Sequence, residues 1–215
     1  MFQANRGSGN STAAFDVVAM TASLGGLKAF EEVLGALPAD FPAPIVVLQH
    51  VDPASHELLS GILRVRTRLR VECVQDGEVL LPGTVYTVHP GFYPQVCANL
   101  TVSLHPKHLK CRPADSLLES VAQASGRRSI AVVLSGMGSD GARGVCAVKR
   151  AGGRVLVQDE RSALHFGMPS AAIGTGCVDF VMPPKRIAAA LVALVMVEGA
   201  AEYFKVAIPA WSLAS

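Results

Sequence analysis

Three residues of this chain could together hydrolyse an ester or an amide: Ser23, His50 and Asp140. In such a site an imidazole base activates the serine hydroxyl, and a carboxylate orients the imidazole. The three residues are separated by 27 and 90 positions. They can form one site only if the fold brings three distant loops together.

Each of these residues also has an ordinary structural interpretation. Ser23 could cap a helix that begins near Gly25, and Asp140, which precedes Gly141, could be a helix N-cap or a turn residue. His50 by itself could be a polar loop residue. The catalytic interpretation depends on the coincidence that all three follow predicted strands.

The first of these strands is predicted at Phe15–Met20, and a helix with apolar residues at three- and four-residue spacing follows from Leu27 to Leu34. A second strand, Ile45–Gln49, precedes a helix whose apolar face is formed by Leu58, Leu59, Ile62 and Leu63. Because a helix separates them, the two strands are expected to be parallel. The carboxyl ends of parallel strands meet at one edge of a sheet, where ligands bind.

The segment from Val71 to Leu104 contains short β-rich pieces separated by Asp-Gly and Pro-Gly turns, which predicts an antiparallel insert. Further elements are a helix at Ala114–Ala124, strands at Ile130–Leu134, Arg154–Gln158 and Cys177–Val181, and a helix at Pro184–Val197. The predicted fold is α/β, a doubly wound, mainly parallel sheet with helices on both faces and the antiparallel insert. We expect one catalytic domain at 15–198, a flexible segment at 1–14 and a tail at 199–215.

Composition excludes several function classes. The chain has 215 residues, is 50% hydrophobic and carries a formal net charge of only +2, so a nucleic-acid partner is not indicated. Its longest apolar run, Ile187–Val197, has eleven residues, whereas a membrane-spanning helix needs about twenty. The first fourteen residues do not have the pattern of a signal peptide. We therefore expect a cytoplasmic protein without membrane insertion.

Metal ligands are not clustered in the sequence. The five cysteines lie far apart and form no C-x-x-C pair. His105 and His108 are a weak candidate pair, but Pro106 and the polar surroundings predict an exposed loop there. We expect neither a metal nor a cofactor.

Four segments strengthen the catalytic interpretation: Ala22–Gly26, Leu48–His50, Leu134–Ala142 and Phe166–Pro169. In this order they resemble the catalytic domain of the chemotaxis protein-glutamate methylesterases. The run Gly136 to Ala142 is the most specific part of the resemblance. The similarity covers roughly residues 15–194, and the segment from Asp76 to Tyr86 resembles the β insert of that family.

This resemblance implies a serine hydrolase that removes methyl groups from receptor glutamates, with glutamine deamidation as an open second activity. Ser23 would be the nucleophile, His50 the base and Asp140 the orienting carboxylate, while the backbone N–H of Met137 would stabilise the oxyanion. The substrate would be the cytoplasmic helices of a methylated chemoreceptor. Gly25, Gly26 and Met168 would line the cleft.

The sequence departs from the family pattern in two respects. The family usually has threonine after the serine, whereas this chain has Leu24, so any hydrogen bond from that hydroxyl is lost. The common family form also has an N-terminal receiver domain, for which the first fourteen residues leave no room. We therefore expect an open cleft and an activity independent of small phosphodonors.

Two other functions compete with hydrolysis. Gly136, Gly138 and Gly141 match the dinucleotide-binding pattern G-x-G-x-x-G between a predicted strand and a predicted helix, with Asp159 eighteen residues further on. That interpretation predicts an oxidoreductase, but it gives no role to Ser23 or His50. The other alternative is a binding module of the same fold that has lost catalysis, which the replacement of the usual threonine by Leu24 would indicate.

Overall fold

A computed structural model describes residues 14–50, 59–203 and 206–209. Its main sheet has seven strands in the order β3-β4-β2-β1-β7-β8-β9, and every neighbouring pair is parallel. The strands of this sheet are β1 Val17–Ala22, β2 Ile45–Gln49, β3 Arg70–Cys73, β4 Thr84–Thr87, β7 Ser129–Val133, β8 Arg154–Gln158 and β9 Phe180–Met182. The remaining two, β5 Phe92–Val96 and β6 Val102–Pro106, form a separate antiparallel pair.

Helices cover both faces of the main sheet. They are α1 Gly26–Leu34, α2 Leu59–Arg64, α3 Pro113–Ser125, α4 Ala142–Arg150, α5 Gly167–Gly174, α6 Pro184–Met196 and α7 Ala200–Tyr203. Successive residues of β1 enter opposite cores: Val18 and Met20 pack with α1 and α6, whereas Val17 and Ala19 pack with α3 and α4. This alternation follows from the period of two in an extended strand. The predicted doubly wound fold is therefore confirmed.

Strand β1 is central, because β2 and β7 pair with it on either side. All six of its residues are buried, as expected for a strand with a helical layer on each face. Tight burial fixes the register of the three strands, and with it the relative height of the loops that follow them.

The prediction of an antiparallel insert at Val71–Leu104 is partly wrong. Strands β3 and β4 belong to the main parallel sheet, and β4 lies between β2 and β3 with all four of its residues buried. Asp76-Gly77 and Pro82-Gly83 lie in the connection between the parallel strands β3 and β4, and Pro90-Gly91 lies between β4 and β5, so none of these turns closes the predicted hairpins. Among the strands of the described residues, β5 and β6 form the antiparallel pair, and an isolated antiparallel bridge joins Val79 to Thr101.

Other element predictions shift by a few residues. The last strand begins at Phe180 instead of Cys177, because the Asp179 carboxylate accepts a hydrogen bond from the backbone N–H of Val155 at 2.8 Å and ties the chain to β8 before the strand starts. Within the predicted tail, α7 forms a short helix. Leu58 and residues 1–13, 204–205 and 210–215, which those predictions include, lie outside the described residues. In the part of the chain that the structure describes, no helix combines the length and apolar character needed to cross a membrane.

Candidate active site

The loops after β1, β2 and β7 meet at one edge of the sheet because these three strands are parallel neighbours. Ser23 directly follows β1, His50 directly follows β2, and Asp140 lies in the loop between β7 and α4. The structure therefore places all three residues at one edge of the sheet, as the sequence predicts. Their side-chain contacts differ, and we consider them in turn.

His50 contacts Asp140. Its Nε2 lies 2.7 Å from Asp140 Oδ2, and both side chains are partly buried, with 25% and 17% of their surface exposed. The other ring nitrogen, Nδ1, lies 3.3 Å from the carbonyl oxygen of Ala22, the residue before Ser23. An ionised carboxylate only accepts hydrogen bonds, so Nε2 carries the proton and Nδ1 of the neutral ring has its lone pair on the side of the serine loop.

Asp140 is held by two further donors from the start of α3. Its Oδ2 accepts the backbone N–H of Ala114 at 3.0 Å, and its Oδ1 accepts the backbone N–H of Asp115 at 2.9 Å. The positive end of a 13-residue helix favours an anion at this place. Burial alone would raise the pKa of Asp140, but the hydrogen bonds from His50 and from these N–H groups outweigh it and hold that pKa below its ordinary value.

Asp140 is therefore a helix cap, but for a different helix from the one that follows it in sequence. The N-cap residue of α4 is Gly141, which has a left-handed backbone conformation with φ of 100°. Orienting His50 and capping α3 use the same carboxylate at once. The two interpretations that the sequence set against each other are compatible.

Ser23 is fixed through its backbone. Its N–H donates to the carbonyl of Ser135 at 2.9 Å, and its carbonyl accepts the N–H of Gly26 at 2.9 Å. Helix α1 has Gly25 as its N-cap residue and receives no side-chain cap, so the capping interpretation of Ser23 is wrong. Among the described residues the Ser23 hydroxyl makes no hydrogen bond, and the structure does not join it to His50.

Glycines let the loops approach one another closely around Ser23. A Cβ on Gly136 would come within 2.3 Å of Met168 Sδ and 2.9 Å of Ser23 Cβ, and a Cβ on Gly26 would come within 2.4 Å of Ala22 Cβ. The prediction that Met168 lines the cleft is wrong, since its side chain is only 1% exposed and packs in the core beneath Gly136. Met168 supports the loop from below.

Two backbone N–H groups in the loops around Ser23, those of Leu24 and Met137, have no hydrogen-bond acceptor within the described residues. Leu24 follows the serine directly, and Met137 follows Gly136, which packs against Ser23. Paired backbone donors of this kind stabilise the negative oxygen of a tetrahedral intermediate.

Three exposed apolar side chains surround the serine. Leu24, Met137 and Leu164 expose 54%, 63% and 73% of their surface. Leu164 lies over the serine loop, since a Cβ on Gly25 would come within 2.8 Å of Leu164 Cβ. We call these three side chains the apolar rim.

The sequence analysis missed Ser135, which joins the serine loop to its neighbours. This buried residue accepts the backbone N–H of His165 at 3.0 Å, and its hydroxyl donates to the carbonyl of Leu24 at 2.9 Å. Its own N–H donates to Gln158 Oε1 at 2.8 Å. A small polar residue at the end of an apolar strand was the available signal, but its partners are 111, 30 and 23 residues away in sequence.

The dinucleotide interpretation conflicts with the surroundings of α4. A pyrophosphate would bind at the N-terminus of the helix after the glycine-rich loop. There the N–H groups of Gly141 and Gly144 donate to the buried carboxylate of Asp115, at 3.0 and 2.8 Å. Asp159 accepts the N–H of Ser162 at 3.1 Å in its own turn. An anion of the protein itself already occupies the position that the cofactor would need.

The histidine pair considered for a metal is placed only partly as predicted. His108 lies in an exposed loop, but His105 lies on β6, and its ring stacks on Tyr93 with centroids 5.4 Å apart. Across the described ranges no group of three or more His, Cys, Asp or Glu side chains is arranged to hold a metal ion.

Comparison with known proteins identifies the family of the chain. The family model described as CheB methylesterase matches residues 18–191. The chain is 41% identical over 180 residues to the protein-glutamate methylesterase FrzG of Myxococcus xanthus, an alignment that covers 82% of this chain and 54% of FrzG. It is 34% identical over 194 residues to a protein-glutamate methylesterase/protein-glutamine glutaminase of Methanosarcina mazei, covering 86% and 53% of the two chains. It thus spans about half the length of the curated relatives it matches.

A solved structure has the same fold. The crystal structure of the Thermotoga maritima CheB methylesterase catalytic domain superimposes with a TM-score of 0.78 at 36% sequence identity, covering 84% of this chain and 99% of that one. The matched family model, the relatives at 34% and 41% identity and this superposition together show that the chain belongs to the CheB methylesterase family.

Proposed function

We propose that this protein is a serine hydrolase that removes methyl esters from glutamate side chains of chemoreceptors. The observation that carries the proposal is the 2.7 Å contact between His50 and Asp140 at the sheet edge beside Ser23. Family membership supports the reaction class, and the names of the relatives support the glutamyl methyl ester as substrate. The Methanosarcina relative is also named a glutaminase, which supports deamidation of glutamine as a second reaction of the same site.

In the first half of the reaction, Ser23 Oγ attacks the ester carbonyl while His50 Nδ1 takes its proton. Asp140 accepts the hydrogen bond from Nε2–H throughout and stabilises the imidazolium that forms. The carbonyl of Ala22, 3.3 Å from Nδ1, becomes a hydrogen-bond acceptor once Nδ1 is protonated. The backbone N–H groups of Leu24 and Met137 would hold the oxyanion.

In the second half, the imidazolium gives its proton to the departing methoxy oxygen, and methanol leaves an acyl-serine. Water then attacks the acyl carbon while Nδ1 takes one of its protons. Nδ1 returns that proton to Ser23 Oγ as the bond between Oγ and the acyl carbon breaks, and the glutamate product ionises to its carboxylate. With glutamine in place of the ester, ammonia would leave in the place of methanol. Both reactions use the same groups in the same order.

The apolar rim supports a protein substrate whose methyl ester lies beside apolar side chains. Leu24, Met137 and Leu164 would cover part of the substrate helix around the serine and exclude water from the reacting ester. The substrate would be the cytoplasmic helices of a methylated chemoreceptor. The proposal therefore assigns the enzyme to the cytoplasm.

The test is methanol release from a methylated receptor fragment by the 215-residue chain. Ser23→Ala should lower the rate by at least ~10³-fold with little change in thermal midpoint, and His50→Ala should do about the same. The double variant should be little worse than either single one, because the two residues act as a unit. Ser170→Ala, an exposed serine on α5, is the matched control and should retain full activity.

Three results would overturn the proposal. Additive losses in the double variant would contradict the assignment of Ser23 and His50 to one catalytic unit. Failure of the wild-type chain to hydrolyse a receptor that a known methylesterase demethylates would favour the non-catalytic binding module. Binding of a dinucleotide at micromolar affinity, blocked by Gly138→Val, would favour the oxidoreductase.

A further inference from the structure

The N-termini of α3 and α4 are capped by each other's aspartates. Asp140, just before α4, accepts the N–H groups of Ala114 and Asp115 at the start of α3. Asp115, in the first turn of α3, accepts with Oδ1 the N–H groups of Gly141 and Gly144 at the start of α4, at 3.0 and 2.8 Å. Four backbone donors that the two helices leave unpaired are thereby satisfied.

Each helix can be capped by the aspartate of the other because α3 and α4 approach closely at their N-termini. A Cβ on Gly144 would lie 2.6 Å from Leu118 Cβ and 3.1 Å from the Asp115 backbone, so only glycine fits there. Asp115 is fully buried, whereas Asp140 remains partly exposed where it meets His50. Of the two carboxylates, one is enclosed in the structure and the other faces the reaction.

Arg112 lies between the two carboxylates and is bound to the buried one. Its Nε is 2.5 Å from Asp115 Oδ2 and 3.9 Å from Asp140 Oδ1, and its Nη2 donates to the carbonyl of Ser139 at 2.6 Å. A buried carboxylate needs such a partner, because an unpaired buried charge is strongly destabilising. The Arg112 guanidinium is therefore within reach of Asp140 but occupied by Asp115.

We propose that Asp115 and Arg112 are positioning residues for the hydrolase. Asp115 fixes the loop that carries Asp140, and by binding Arg112 it leaves the Asp140 carboxylate to His50. This inference rests on the proposed function, because it assigns the two residues a role in the reaction of Ser23. It adds two residues that act through Asp140 and do not touch the substrate.

The charges around Asp140 make this arrangement sensitive to the loss of one carboxylate. His50 faces Asp140 from the loop after β2, and Arg112 and Asp115 face it from the start of α3. One turn further along α3, Glu119 pairs with Arg143 in the first turn of α4 at 2.6 Å. Residues 51–58, which follow His50 in sequence, lie outside the described residues. Without the charge of Asp115, Arg112 would have Asp140 as its nearest carboxylate.

The test is Asp115→Asn, which keeps the shape and an oxygen for Gly141 and Gly144 but cannot bind Arg112 as a carboxylate does. Arg112 should then turn to Asp140 and compete with His50, so that the imidazolium is less stabilised. We expect kcat to fall about tenfold, KM to stay within about twofold, and the acid limb of the kcat/KM profile to move about half a pH unit lower. A residue with only a structural role would lower the thermal midpoint and leave that limb in place.

The rescue variant separates the charge effect from the loss of a cap. In Asp115→Asn/Arg112→Gln the competing cation is gone, and the acid limb should return to its wild-type position. Glu119→Gln is the matched control: it removes a carboxylate from α3 one turn away and should leave the pH profile unchanged. An unshifted limb in Asp115→Asn, or a shifted limb that the double variant fails to restore, would overturn the inference.

A second measurement keeps this inference distinguishable from the proposed function. The titration of the His50 ring, followed by NMR on wild type and Asp115→Asn, requires no substrate. If the wild type hydrolyses nothing but the ring titration moves lower in the variant, the proposed function fails and the electrostatic arrangement stands. If the wild type is active and neither the titration nor the pH profile moves, Asp115 is only a cap.

Discussion

The nucleophile loop, residues 23–25, and the acid loop, residues 137–141, are held in opposite ways. In the acid loop the functional side chain itself is bound: Asp140 accepts hydrogen bonds from His50 and from two backbone N–H groups. In the nucleophile loop the backbone is bound, while the Ser23 hydroxyl has no hydrogen bond within the described residues. The loops are neighbours at one sheet edge, so the difference lies in their residues rather than in their position.

This difference corresponds to what each group would do in the proposed ester hydrolysis. An orienting carboxylate keeps the same partners from substrate binding to product release, so every fixed donor helps to hold the imidazole in place. A nucleophilic serine must instead give its proton to the base and bond to carbon, so its hydroxyl has to be free to turn between the imidazole and the substrate. Holding Ser23 by its backbone locates the oxygen and leaves it able to react.

Of the substitutions in these two loops that keep Ser23, Asp140→Asn is expected to lower activity most. The amide oxygen can still accept an N–H group of α3, but the amide NH₂ donates towards Nε2 of His50. The neutral ring must then carry its proton on Nδ1, which can no longer take the proton of Ser23. Methanol release should fall by about 10² to 10⁴-fold, while circular dichroism and the thermal midpoint stay close to wild type.

Asn is as good a helix cap as Asp, which makes this variant decisive. If Asp140 served only to cap α3, Asp140→Asn would retain its activity. A rate within about threefold of wild type would therefore reduce the role of Asp140 to structure.

A smaller effect is expected on stability, and its pH dependence has a definite sign. The pKa of Asp140 is lowered in the folded protein from its ordinary value of 3.8, so the folded state favours the charged form. Its stabilising contribution is present above that ordinary value and is lost as the pH falls through the folded value. Asp140→Ala should cost about 1 to 2 kcal/mol at pH 7, and the difference from wild type should shrink below about pH 4.

Urea unfolding of both proteins at pH 7, 5 and 3 measures this difference. Asp140→Asn is the control, since it keeps a cap without the charge and should lose less stability than Asp140→Ala at pH 7. A difference that grows towards pH 3 would mean that the pKa of Asp140 is raised rather than lowered.

The sequence predicted the nucleophile loop and the acid loop because each directly follows an apolar run. Strand β8 matches its predicted bounds, Arg154–Gln158, and helix α6 ends one residue before the predicted Val197. In these elements hydrophobic periodicity and the flanking turn residues carry the information locally. Family membership supports the reaction class that the motifs around Ser23, His50 and Asp140 predict.

Pairing between distant segments could not be predicted in this way. Strand β4 lies between β2 and β3 in the main sheet. This position depends on how distant strands pack together, whereas the local sequence pattern of β4 also fits a hairpin. Pro113 and Asp115 are the ordinary signals of a helix start, yet Asp115 caps the neighbouring helix, 26 and 29 residues further on. Met168 has the character of a cleft residue and packs in the core, because Gly136 leaves room for its sulfur.

The smallest expected effect concerns Leu24, where the nucleophile loop departs from the family pattern. Its side chain is 54% exposed in the apolar rim, and its carbonyl, which accepts the Ser135 hydroxyl, does not depend on which side chain is present. Leu24→Thr should therefore leave the thermal midpoint unchanged. It removes apolar surface that a substrate helix would cover, worth about 1 kcal/mol, so KM for a methylated receptor fragment should rise about fivefold. Because the backbone N–H of residue 24 is retained, kcat should stay within about threefold.

Steady-state methanol release separates the two constants, with Leu24→Ala as the control that removes the apolar surface without adding a hydroxyl. A different result would be a kcat that rises more than about tenfold at constant KM in Leu24→Thr but not in Leu24→Ala. The threonine hydroxyl would then take part in the reaction, and the wild-type nucleophile loop would lack a hydrogen-bond donor that the apolar rim does not replace.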